Sequence, residues 1–150
     1  MKGFIGEIVQ LEMTGKKLVE GTVIEIGSDL MVVSRGVDYL YIPLLHVKNI
    51  RVLSHDEVEF GFVEPVGLPG IALEENLSLR KALNNAKGMF LELYVSGDEV
   101  LHGYVIGIMN NYFVFYSPVY KTMYITLNHL KWMIPYPSNI RPYGLDKKDF

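Results

Sequence analysis

Apolar residues come in short runs, each broken by a turn rich in glycine, serine or asparagine, and this argues for strands over long helices. Ile8, Leu11 and Met13 mark a loosely alternating strand over 7–13 that ends at Thr14-Gly15-Lys16. A longer β-rich run over 18–26 carries Gly21, and a glycine inside a strand predicts a bulge or sharp bend. Gly27-Ser28-Asp29 leads into a strand over 30–33, and Arg35-Gly36-Val37-Asp38 into another over 39–42. Pro43-Leu44-Leu45-His46 opens with proline and is too short for a helix, so it predicts one 3₁₀-like turn before a closing strand over 47–53. Five short strands separated by turn signals are the pattern of a small barrel or sandwich.

The pattern then returns. Tyr-Ile-Pro-Leu-Leu-His-Val-Lys at 41–48 reappears as Tyr-Ile-Thr-Leu-Asn-His-Leu-Lys at 124–131, identical at five of eight positions. Gly15, Gly21, Val23, Ile24 and Ile26 match Gly97, Gly103, Val105, Ile106 and Ile108. Gly15 to Gly97 is a step of 82 residues and Tyr41 to Tyr124 one of 83, so one extra residue sits in the hairpin between Ser117 and Lys121. Such a match predicts internal duplication of a folding unit. The expected organisation is a first copy over 1–53, an acidic Pro/Gly linker over 54–71, a helix plus second copy over 72–134, and an extended or disordered tail over 135–150. The helix is expected over 72–87, capped by Asn76 or Ser78 and stopped by Gly88. A unit of about 50 residues is marginal alone. The two copies are therefore expected to share a face as a pseudo-twofold pair, with open strand edges paired or covered.

Charge narrows the function classes. Net charge is −3, with six acids against six bases over 1–53 and five against five over 88–150. The acidic excess lies in 54–87, and neither copy has the basic surplus that phosphate binding demands. The absence of cysteine excludes disulfides, thiol catalysis and Cys-based zinc sites. No apolar run approaches the roughly 20 residues needed to span a bilayer, and the N-terminus does not read as a signal peptide. The expectation is a soluble, cytoplasmic protein with no membrane span and no cofactor.

Five strands, a bend-forming glycine in the second and a 3₁₀ turn before the fifth resemble the Sm-like (SH3-type) small β-barrel. Val19-x-Gly21-x-Val23-x-x-Ile26 is similar to the first Sm motif. Residues 21–29 leading to Tyr41-Ile42-Pro43-Leu44 resemble small β-barrel domains of spore-forming Gram-positive bacteria, some associated with the spore coat. The resemblance implies a mainly β fold of two tandem five-stranded barrels with one short linker helix. It also implies a set of RNA-binding residues, and these are replaced. Where Sm proteins place an Asp and then an Asn, this chain has Gly27 and Met31, and Met109 and Phe113. The second Sm motif gives way to Pro43-Leu44-Leu45 and Thr126-Leu127-Asn128.

The candidate binding residues follow from the repeat and from the aromatics. His46 and His129, each followed by a lysine (Lys48, Lys131), could meet as a ligand or proton-carrying pair, or each could close its own turn on backbone. Without a nearby carboxylate or thiolate they make a poor metal site, and no metal is assigned. Tyr112, Phe113, Phe115 and Tyr116 must point to both faces of one strand. Tyr112 and Tyr116, with Trp132, then form either a stacking platform for single-stranded nucleic acid or a protein interface. The missing basic lining favours the interface, through self-association or a protein partner, and disfavours nucleic acid. No motif asks for catalysis. The expectation is a non-enzymatic interaction or structural module, with a link to sporulation or the spore coat implied by the resemblance alone. The rivals are an RNA-binding Sm-like regulator and a small-ligand or metal module at His46 and His129.

Overall fold

A computed structural model of the chain describes residues 2–54, 77–97 and 99–136. The first half holds β1 (Ile8–Met13), β2 (Leu18–Ile26), β3 (Leu30–Ser34), β4 (Tyr39–Pro43) and β5 (Val47–Val52). After helix α1 (Leu79–Asn85) the second half holds β6 (Leu91–Tyr94), β7 (Val100–Ile108), β8 (Tyr112–Ser117), β9 (Lys121–Thr126) and β10 (Trp132–Pro135). Single 3₁₀ turns, Leu44–His46 and Leu127–His129, precede β5 and β10. The protein is mainly β. Its strands form one open antiparallel sheet in the order β5-β1-β2-β3-β4-β10-β6-β7-β8-β9.

Each half repeats the same internal order, with its fifth strand beside its first. The local features repeat as well. β2 shifts register against β3 between Val23 and Glu25, and β7 shifts against β8 between Val105 and Gly107. Glycine is needed two residues before each bulge because the neighbouring strand crosses there. A Cβ on Gly21 would lie 2.5 Å from the Ser34 carbonyl oxygen, and one on Gly103 would collide with the carbonyl of Tyr116.

The halves are joined edge to edge, but not as the expected pseudo-twofold pair. A twofold sets like edge against like, whereas here the fourth strand of the first half, β4, pairs with the fifth of the second, β10. Met133 faces Tyr41 at this seam. Side-chain chemistry explains the choice. Tyr39, Leu40, Tyr41 and Ile42 on β4 and Trp132, Met133 and Ile134 on β10 suit a buried edge, while at the equivalent outer edges Thr122 stands in the place of Tyr39, Asn49 in that of Trp132 and Arg51 in that of Ile134.

The seam also flips the faces of the sheet. One core gathers Val9, Leu11, Val23, Met31, Val33, Leu40 and Ile42 of the first half with Tyr94, Trp132 and Ile134 of the second. The other gathers Leu93, Val105, Phe113, Phe115, Leu130 and Met133 with Leu30, Val32, Tyr39 and Tyr41 of the first. Strands β3, β4 and β10 therefore have a core on each side and are buried at every position.

Helix α1 ties the halves from outside the sheet. Its described part starts later than the sequence predicts. Leu77 and Ser78 precede the helix, Ser78 is extended, and its hydroxyl caps the helix by accepting the Lys81 N–H at 3.1 Å. Tertiary contacts override local propensity here: Leu77 is buried, its carbonyl accepts the Ser28 N–H at 3.0 Å, and the Asp29 carboxylate accepts the Leu79 N–H at 2.8 Å. Arg80 then donates to the carbonyls of Met109 and Asn110 in the other half. The tail also starts later than expected, because Pro135 closes β10 and the Tyr136 N–H donates to Phe90. The predicted linker from 55, the helical residues 72–76 and the tail from 137 lie outside the described residues.

Candidate functional site

Two surfaces collect the chemistry of the described residues: the seam, and the outer face of β8 and β9. At one end of the seam, His46 spans the halves. A carbonyl can only accept, so His46 Nε2–H donates to the Asn128 carbonyl at 2.5 Å, and Nδ1 is left to pair with the Thr14 hydroxyl at 2.9 Å. Next to it Tyr94 stacks on Trp132 with ring centroids 4.4 Å apart. Lys17 of the first half and Lys131 of the second lie over the Tyr94 ring at 5.1 and 5.6 Å. Trp132 is buried, and its indole N–H has no partner among the described residues.

The other end of the seam holds a polar cluster that composition and motif reasoning passed over. Glu92 on β6 faces His102 on β7 in register, and its Oε1 accepts from His102 Nε2 and from the Tyr136 hydroxyl, each at 3.2 Å. Phe90 lies against both His102 and Tyr136. The hydrogen bond from His102 holds the Glu92 carboxyl below its ordinary value, against the burial that pushes it up. Burial, then the nearby Glu92 charge, pushes the Tyr136 phenol far up. Arg35 of the first half, held bidentately by Asp38 at 2.8 and 2.6 Å, is raised chiefly by that hydrogen bond and also by the Glu92 charge. The signal that could have found this cluster is the Gly21–Gly103 equivalence. It places β6 against β7 in the register of β1 against β2, and so sets Glu92 opposite His102.

The outer face of β8 and β9 is of a different kind. Phe113 and Phe115 point into the core and are fully buried, while Tyr112 and Tyr116 point the other way, as strand alternation requires. Tyr112 is 39% exposed and meets Tyr124, itself 71% exposed, edge-on at 6.0 Å. Val114, between Tyr112 and Tyr116 on the same face of β8, is directly opposite Tyr124 across the β8–β9 ladder. A 3.2 Å bond from Lys121 Nζ to Pro118 closes the hairpin at the end of this face.

The sequence-predicted residues thus divide. His46, Lys131 and Trp132 are brought together at the seam, and Tyr112 and Tyr116 share the outer face. Lys48 is exposed on β5, 3.9 Å from Glu12. His129 is exposed, and the contact of His46 is with the turn that carries His129, through the Asn128 carbonyl. The arrangement is head-to-tail, so equivalent residues have different surroundings. Among the described residues no group of three or more His, Asp or Glu side chains is placed to hold a metal ion. An open groove of about 310 Å³ runs between α1 and β7, lined by Arg80, Lys81, Asn84, Lys87 and Ile108. Its guanidinium is already engaged by carbonyl oxygens, and its lysines are exposed. No described helix is long and apolar enough to cross a membrane.

Comparison with known proteins gives one clear relative. The Bacillus subtilis (strain 168) protein YwrJ, described as uncharacterized, is 40% identical over 152 aligned residues, which cover 97% of this chain and 67% of the relative. No family profile matches the chain. No solved structure matches it.

Proposed function

We infer that this chain, which belongs to the family of the Bacillus subtilis protein YwrJ, is a non-enzymatic interaction or structural module. In this reading it consists of two Sm-like, SH3-type five-stranded units derived by internal duplication. The repeated strand order, the repeated bulges and the glycine wedged under the same carbonyl in each half support the duplication.

The observation that carries the interaction role is the outer face of β8 and β9. Tyr112, Val114 and Tyr124 occupy the repeat positions of Leu30, Val32 and Tyr41, which are buried under the other half of the molecule at 0%, 1% and 0% exposure. The same face of the second half, with Tyr112 and Tyr124 open, has the aromatic composition of a protein contact. How the polar groups are used supports a non-enzymatic role. Both ring nitrogens of His46 are engaged, and the Glu92 carboxylate accepts from both His102 and Tyr136.

An RNA-binding role has less support. Met31 and Phe113, at the positions of the base-pinching Asn, are fully buried. At the position of the Asp, a Cβ on Gly27 would collide with the backbone of Leu77. A place in the spore coat or elsewhere in sporulation rests on the resemblance of residues 21–29 and on the relative's coming from a spore-former.

A photo-crosslinking amino acid at position 112 or 124, in cells of the native host, tests the reading. Protein adducts should exceed those from position 18, an exposed β2 site away from this face. Adducts no greater than at position 18, or oligouridine binding with a steep salt slope in vitro, would overturn it.

A further inference from the structure

The seam inside the molecule describes an interaction that the chain's two outer edges are shaped to make again. Within the chain, a fourth-strand edge and the outer face beside it receive a fifth-strand edge and the core of another half. The two edges left at the ends of the sheet are again one of each kind: β9, a fourth strand, and β5, a fifth strand. On the β9 side, Tyr124 stands where buried Tyr41 stands in the first half. On the β5 side, Val47 and Ile50 are only partly buried against their core, where their counterparts Leu130 and Met133 are fully buried by the seam. Among the described residues, each end therefore lacks what the other end offers.

We propose that the β8–β9 face binds the β5 edge of a second copy of this chain, head to tail, by repeating the internal seam. This rests on the reading of that face as an interaction surface and names its occupant. Transferring the Tyr41–Met133 pairing by the repeat sets Tyr124 opposite the second copy's Ile50. Antiparallel register then sets Thr126 opposite Lys48, Ile125 opposite Asn49 and Met123 opposite Arg51. No like charges meet in these pairs. The hydrogen-bonding clasp transfers too: His129 and Ser96 stand where His46 and Thr14 stand, and the second copy's Leu45 carbonyl takes the place of that of Asn128.

The copied seam is weaker than the original. Asn49 and Arg51 replace Trp132 and Ile134, Lys48 stands for Lys131, and the contact of Lys17 with the Tyr94 ring becomes Glu99 beside Glu12, a like-charge pair. Charged edge residues restrain strand pairing. The association is accordingly reversible and dependent on concentration, and because the contact is heterologous it closes into a ring or extends as a filament.

The chain has no cysteine, so placed thiols test the register directly. Chains carrying Tyr124→Cys and chains carrying Ile50→Cys are oxidised separately and mixed, with Val119→Cys, exposed at 73%, replacing Tyr124→Cys as the control. Directly facing strand residues fall within disulfide reach. The mixture should give a disulfide-linked pair of chains at least tenfold above either variant alone and above the control, and the double variant should give larger species. Crosslinking by Tyr124→Cys alone equal to the mixture would show like-to-like pairing and overturn the proposal. So would no excess of the mixture over the control, or a wild-type chain that sediments with the mass of one chain at every concentration. Each of these three failures leaves the photo-crosslinking at position 112 to decide separately whether the face binds another protein.

Discussion

Tyr41 and Tyr124 occupy the same place in the repeat, yet one is fully buried and the other is 71% exposed. The difference lies in what each strand edge meets. β4 has β10 beside it and a core beneath each face, whereas β9 ends the sheet. Neighbouring residues have followed suit. Tyr39 at the seam corresponds to Thr122 on β9, and Trp132 and Ile134 to Asn49 and Arg51 on β5. The edge that the chain closes on itself is apolar throughout, and the two outer edges carry Thr122, Asn49 and Arg51 in the same places. Polar and charged side chains on an outer strand restrain indiscriminate edge pairing.

The sharpest way to break the comparison is to truncate both tyrosines. Tyr41→Ala should cost about 3–5 kcal/mol in urea unfolding, because it opens a cavity shared by both halves. Gly103→Ala comes next. It forces the β8 backbone away from β7 and should cost about 1–3 kcal/mol, with the same direction for Gly21→Ala in the first half. His46→Ala removes a side chain that hydrogen-bonds both Thr14 and the turn of the other half, and should cost about 1–2 kcal/mol. Tyr124→Ala, measured in dilute protein, should stay within about 0.5 kcal/mol of wild type, as surface substitutions usually do.

The second end of the seam is open to pH. Glu92 has its carboxyl lowered in the folded chain, first by the hydrogen bond from His102, so the folded state holds its proton less readily than the unfolded state. Its contribution is fully present above the unfolded value of about 4.3 and is lost as pH falls through the lower folded value. Glu92→Gln should therefore flatten the acid limb of stability below about pH 4–5 and leave the slope near neutrality unchanged. Unfolding midpoints measured from pH 7 to pH 3 check this.

How far the sequence reveals this molecule can be judged at particular residues. Gly21 and Gly103, the turns after Pro43 and Thr126, and the alternation through Tyr112–Phe115 announce the strands and their order, because each answers a local steric or period-2 demand. The seam is not local. Pairing β4 with β10 depends on a comparison between copies: which of two equivalent strands holds the apolar residues on both faces. The counterpart of Tyr41–Ile42 reads almost identically as Tyr124–Ile125. The start of α1 was hidden for a similar reason, since Leu77 is kept out of the helix by its contacts with Gly27 and Ser28, fifty residues earlier. Glu92 and His102 become partners only once β6 and β7 are in register. Of the candidate site, the aromatic face was legible, and its role in the fold was not.

Hydrogen exchange of the full chain, followed peptide by peptide at low and at high protein concentration, tests the central claim most directly. Amides of β4 and β10 should be among the slowest at both concentrations, while those of β9 and β5 should exchange fast in dilute protein and slow together as concentration rises. Fast exchange of β4 and β10, or exchange at β9 and β5 that ignores concentration, would contradict a seam that is closed within the chain and copied between chains.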